Sequence, residues 1–273
     1  MSGALTFRFT TQAQLDIRRI TSELSDLQRQ VASGDKHTDL MGFGGAASRL
    51  LNARSMKTNA DSRVSVITQL QARFGVQGAA LGQVSDGAQM LAQSIREAIA
   101  ANDGRGVTTE LELSFKSIVS ALNETWNGQP LKINTLAELV AAAGPQDIFD
   151  EAARHQVLDL GVGEPIVLSA KASEMSQGLL QTLSDLKVFL DANGGTIGQP
   201  ITGTQLAALQ NFADRLDAEA TKFTNEEGRA GQLQKRFATE QVRLQERSNL
   251  LLKEIGDQAD ADVAEVSVKL ASL

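Results

Sequence analysis

Near the start of the chain, apolar residues recur at alternating intervals of three and four: Ile17, Ile20, Leu24, Leu27 and Val31. That spacing puts them on one stripe of an α-helix, the a/d seam of a coiled coil. Arg18, Arg19, Glu23, Asp26 and Arg29 fall mostly off the seam, and Ser33-Gly34 ends the segment with a glycine suited to the left-handed C-cap. A second and much longer helical pattern runs from about Ala47 to Ala101, with Ile67, Leu70, Phe74, Leu81, Val84, Leu91 and Ile95 among its apolar positions. Gly75, Gly78, Gly82 and Gly87 interrupt it, each at a cost of about 1 kcal/mol relative to alanine. Their presence there predicts close approach of a neighbouring helix. The turn cluster Asn102-Asp103-Gly104-Arg105-Gly106 stops this helix, and Thr108 or Thr109 is expected to cap a third one carrying Leu111, Phe115, Ile118, Val119 and Leu122.

From Trp126 to about Gly163 the periodicity dissolves into short apolar runs broken by Gly144-Pro145 and Glu164-Pro165, which reads as a small α+β segment. Leu179 to Leu190 is helical again, and DANGGTIGQPITG is a loop. From Gln205 one helix is expected to run nearly to the C-terminus, its later apolar positions being Leu233, Phe237, Leu244, Leu251, Ile255, Val263, Val266, Leu270 and Leu273. The expected fold is mainly α: an elongated antiparallel bundle made by the long N- and C-terminal helices, with a small α+β insertion in the middle. The divisions are a coiled-coil helix over 1–40, the N-terminal part of a rod over 41–128, an outward-facing insertion over 129–204, the C-terminal part of the rod over 205–254, and a short final helix over 255–273.

Composition narrows the function classes. The formal net charge is -7 and Lys/Arg never cluster beyond a pair, so the basic stripe that nucleic-acid binding demands is missing. There is no cysteine, which excludes disulfides, thiol catalysis and cysteine-ligated metals. No apolar run has the length of a membrane span or of a signal-peptide core, so no membrane insertion and no cleaved signal are expected.

Gly42, Gly44 and Ala47 stand in the spacing G-x-G-x-x-A, with Asp61 about twenty residues on, the pattern of a dinucleotide-binding turn. The preceding GDKHTDLM is polar and follows a coiled-coil helix, where a nucleotide site requires a buried strand. Gly42, Gly44 and Gly45 are therefore expected to form a hinge between helices. Asp35, His37 and Asp39 alternate like metal ligands, but a solvated turn is the simpler reading. His155 reads as a helix-surface residue, and Asp257, Asp260 and Asp262 lack the glycine and terminal glutamate of a calcium loop, so they read as a hydrated helix face. Asn123-Glu124-Thr125 matches a glycosylation sequon. With no G-x-S-x-G, P-loop or H-E-x-x-H present, the sequence predicts no enzyme, no cofactor and no metal.

Four stretches, taken in order, resemble bacterial flagellins and the related hook–filament junction proteins. LSDLQRQVASGDK is similar to the family's N-terminal heptad helix and its Ser-Gly turn, and SIREAIAANDG to the end of the first rod helix. LNETWNGQPLKI resembles the aromatic-Asn-Gly turn before a strand, with Trp126, Asn127 and Gly128 in those places. LLKEIGDQADADVAEVSVKL resembles the C-terminal acidic cluster, through Asp260, Asp262 and Glu265. Two features depart from the pattern: DLMGFGGAASR replaces an Asp-Asp-Ala-type sequence, and the sequence stops at KLASL where the family continues with a glutamine- and alanine-rich helix.

The resemblance implies a structural subunit of the bacterial flagellar filament that self-assembles and serves motility. It implies a seam of Ile17, Ile20, Leu24, Leu27, Val31, Val263, Val266 and Leu270 that packs with neighbouring subunits. The implied partners are copies of the same chain, other flagellar subunits such as hook-associated proteins, and a flagellar export chaperone. The implied location is extracellular, in the flagellum, after export without signal cleavage. Two other readings remain open, a hook–filament junction (hook-associated) protein and a cytoplasmic coiled-coil adaptor.

Overall fold

The computed structural model describes residues 3–37, 39–125, 131–149, 157–158, 166–167 and 172–272. Its elements are α1 (Gly3–Ser33), α2 (Ala47–Ala101), α3 (Val107–Thr125), α4 (Leu136–Ala141), α5 (Pro145–Ile148), β1 (Val157–Leu158), β2 (Ile166–Val167), α6 (Ala172–Ala192), α7 (Gly203–Ala259) and α8 (Val263–Ser272). The fold is a mainly-α helical bundle. Its strands among the described residues form one two-residue antiparallel pair, Val157 against Val167 and Leu158 against Ile166. The chain divides into a central unit, residues 67–239, and a terminal unit, residues 1–66 with 240–273.

In the central unit, α2 and α7 run antiparallel. The Phe74 and Phe237 rings lie 5.7 Å apart, and the Ser85 hydroxyl donates to the Ala220 carbonyl at 3.0 Å. Further along, the Arg96 guanidinium reaches Asp214 at 3.2 Å and also Asp217. The helical glycines mark the close contact that the sequence predicts. A Cβ at Gly75 would stand 3.2 Å from Gln234, one at Gly82 3.3 Å from Glu227, and one at Gly87 3.0 Å from Ile118 of α3. The core joins Leu81, Leu91 and Ile95 of α2, Phe115 and Ile118 of α3, Leu183 and Leu186 of α6, and Leu216 and Phe223 of α7, all buried. Leu131, Ile133, Leu139 and Phe149 enter the same core, so 131–149 and α6 share one packed interior with the long helices.

Both turns at one end of this unit are Schellman caps. Asn102, at φ +52°, follows α2, with Asp103 N–H donating to Ala98 O and Asn102 N–H to Ile99 O. Gly194, at φ +86°, follows α6 in the same way. The two turns interlock: Gly104 N–H donates to Gly198 O at 3.3 Å, and Ile201 N–H to the Asn102 side chain at 2.9 Å. Thr108 does not cap α3. The helix already starts at Val107, and the Thr108 hydroxyl donates across to Gly195 O at 2.7 Å, a tertiary bond that outcompetes the local one. Asp103 receives Arg105, which holds its carboxyl down at about 2.

In the terminal unit, α1 ends where the sequence places its stop: Gly34 adopts φ +76° and its N–H donates to Gln30 O at 2.9 Å. The expected single C-terminal helix is two. α7 stops at Ala259, and α8 begins at Val263 with Asp262 as its cap, the Asp262 carboxylate accepting from the N–H groups of Ala264 and Glu265. Asp262 followed by Glu265 is a capping pattern legible in the sequence, but no glycine or proline marks the break.

Candidate functional site

The terminal unit gathers the seam and the glycine cluster. Its centre is a knot where the turn after α1 meets the turn before α8. Asp35 and Asp260 form an antiparallel bridge. Lys36 N–H donates to Ala259 O and Ala261 N–H to Gly34 O, both at 2.7 Å. The Lys36 ammonium donates to Asp257 O at 2.9 Å and Gln258 O at 3.4 Å, so a cation caps the carbonyl end of α7, where the helix dipole favours positive charge. Starting beside this knot, α8 packs back along α1. Glu265 receives the Lys269 ammonium at 2.7 Å, which raises the pKa of that lysine.

The seam is only partly closed within one chain. Leu24 and Leu27 are half-buried and Val266 is buried, whereas Ile17 is 63% exposed, Ile20 39% and Val263 44%. Leu270 is half-buried and Val31 is exposed. Length explains the exposure of Ile17 and Ile20. The ten residues of α8 span about 15 Å at 1.5 Å per residue and cannot cover the 31 residues of α1.

The glycine cluster lies between α1 and α2 as consecutive tight turns. Gly42 N–H donates to the Asp39 carboxylate at 2.9 Å, Gly44 N–H to Met41 O at 3.2 Å, and a 3₁₀ turn over Gly44–Ala46 leads straight into α2. The ring of His37 stands edge-on to Phe43, with centroids 5.1 Å apart. Gly42 is required by that ring, since a Cβ there would lie 2.6 Å from it. Gly44 is required by its backbone, at φ +50°, while Gly45 faces open space. Met41 at the tip is 90% exposed.

The other residues singled out by the sequence find structural partners. Asp61 lies on α2, accepting from Lys57 Nζ and from the Ser248 hydroxyl of α7, both at 2.6 Å. The Lys57 bond first, and then that of Ser248, hold its pKa below the usual carboxylate value. Asn123 accepts the Leu131 N–H at 2.7 Å. Asp35, His37 and Asp39 line one open pocket beside Arg29 and Lys36, but among the described residues no three His, Asp or Glu side chains are placed to share a metal. His155, Trp126, Asn127 and Gly128 lie outside the described residues. Among the described residues no helix is long and apolar enough to cross a membrane. The Lys36 knot escapes sequence reasoning, because its two halves are more than two hundred residues apart.

No family model matches the sequence, and no curated protein does. In its fold the chain is similar to a solved structure from Vibrio parahaemolyticus described as a "putative flagellar hook-associated protein". The TM-score is 0.55 at 17% identity, over 78% of this chain and 98% of that one, a likeness of fold.

Proposed function

We propose that the chain is a structural subunit of the bacterial flagellum that acts by assembly rather than chemistry. The observation that carries this reading is the incomplete seam: α1 and α8 pair with each other, yet leave Ile17, Ile20 and Val263 open to a further helix. Burying such side chains is worth about 25 cal/mol per Å2, enough for a few of them to drive association. In this reading the chain leaves the cell through the flagellar export route without signal cleavage, attended by an export chaperone, and contacts copies of itself and other flagellar subunits.

Two placements within the flagellum have separate support. The fold likeness to a hook-associated protein favours the hook–filament junction, while the aromatic-Asn-Gly stretch at Trp126 favours the filament. Purified protein added to isolated hooks of its own source separates them under the electron microscope. One terminal layer means junction, long filaments mean filament subunit, and no attachment contradicts both.

A further inference from the structure

One groove in the terminal unit, about 150 Å3 in volume, lies between α2 and α7 and is lined by Met56, Asn59, Ala60, Arg63, Leu244 and Arg247. Its floor is apolar, with Ala60 and Leu244 buried, and Met56 is 47% exposed. Both arginines are exposed, and neither has an ion-pair or hydrogen-bond partner among the described residues. Of the carboxylates nearest in sequence, Asp61 is already taken by Lys57 and Ser248, and Glu246, beside Arg247 in the chain, makes no ion pair with either arginine. Two guanidinium groups beside one apolar floor, with no counter-ion among the described residues, form a site that favours an anionic partner.

The charge that would complement it lies elsewhere in the same sequence. Lys and Arg equal Asp and Glu in number in the terminal unit, so the whole net charge of -7 resides in residues 67–239. That unit shows acidic side chains next to exposed apolar ones, as in Asp86 with Met90 on α2 and Glu112 with Leu113 on α3. This is the mixed character of the groove with the sign reversed.

We infer that the groove lined by Met56, Arg63, Leu244 and Arg247 docks an acidic face of the central unit of a second copy of this chain. The contact rests on the structural-subunit reading above and specifies it, because it joins unlike parts of successive copies. A head-to-tail contact of this kind can repeat from copy to copy.

The absence of cysteine allows a direct test. Asn59→Cys in the full chain, labelled with a photoreactive maleimide, is mixed with isotope-labelled copies and illuminated, alone at rising concentration and on isolated hooks. Cross-links to peptides within 67–239 of the other isotopic copy are expected. Cross-links to the terminal unit of another copy, to a different protein, or only within one copy overturn the inference, as does the lack of any cross-link. In parallel, Arg63→Glu with Arg247→Glu should weaken self-association about tenfold or more in sedimentation, and high salt should weaken the wild type in the same direction. The Arg63→Lys, Arg247→Lys pair should retain most of the association, and all variants should keep the wild-type melting profile. Association insensitive to charge reversal and to salt overturns the inference. If the wild type attaches to hooks and the reversed pair attaches equally well, the inference fails while the structural-subunit reading stands. If the wild type self-associates through this groove but ignores hooks, the reverse holds.

Discussion

The central and terminal units are built from continuations of the same two long helices, yet they bury their side chains differently. The central unit closes around Phe74, Phe115, Phe223 and Phe237, each at 2% exposure or less. Among the largest fully buried side chains, Leu50 alone belongs to the terminal unit. Exposed large apolar residues are distributed the other way: Ile17, Met41, Leu250, Leu252 and Val268 stand in the terminal unit with many more, while Met90 and Leu113 are among few in the central one. A unit that hides its apolar surface leaves little for a partner to cover, and one that displays it has surface left for association. The same heptad-like pattern thus serves folding in one unit and, in our reading, assembly in the other.

Substitutions should separate these roles, and the largest effect belongs to the central core. Phe223→Ala empties a fully buried site and should cost about 3–5 kcal/mol in denaturant unfolding. Ile17→Ala, at a site 63% exposed, should change monomer stability by less than about 0.5 kcal/mol yet impair attachment to hooks. Equal losses of stability from the two would erase the contrast.

Next comes the interlocked end of the central unit. A Cβ at Gly104 would meet Ile197 at 2.5 Å, so Gly104→Ala should cost about 1–3 kcal/mol by overpacking. In the terminal unit, Lys36→Met removes the ammonium from the last carbonyls of α7 and should cost about 1 kcal/mol locally. Amide exchange should speed up at Lys36 and Ala261 and stay unchanged in the central core; a uniform change would show that the knot is not a local fastening.

Acid should produce the smallest effect. Asp61 and Asp103 both have pKa values lowered by their partners, so the bonds they make stabilise the fold fully above their unfolded values, near 3.8. That stabilisation is lost as pH falls, through about 2 for Asp103 and through a value below 3.8 for Asp61. Asp61→Asn should abolish the terminal-unit share of this acid sensitivity while leaving the Asp103 share, as read from stability between pH 5 and 2.

Much of this architecture is legible in the sequence because local rules and tertiary packing agree. The Gly34 stop and the helical glycines of α2 each have one physical meaning, and the structure realises it. The α7–α8 break is harder to read, because apolar periodicity persists through Asp260 to Asp262 and the interruption is signalled by a capping pair alone. Thr108 misleads because its hydroxyl bonds a loop some ninety residues away. The glycine cluster matches a nucleotide motif in spacing while serving a turn after a helix. Gly42 clears the His37 ring and Gly44 takes a left-handed backbone, so the same residues answer a different geometric demand. Gly42→Ala and Gly44→Ala together should disturb assembly and leave the central unit's melting unchanged, and normal attachment to hooks by that variant would remove the hinge role.

In our reading the terminal unit is completed by other subunits, while the central unit is complete by itself. Hydrogen–deuterium exchange on the monomer and on hook-attached protein measures this directly. Amides of the core from Leu81 to Phe223 should be equally protected in both states, and those of α1 and α8 should gain protection on attachment. Strong protection of α1 and α8 already in the dilute monomer, unchanged by attachment, would contradict it.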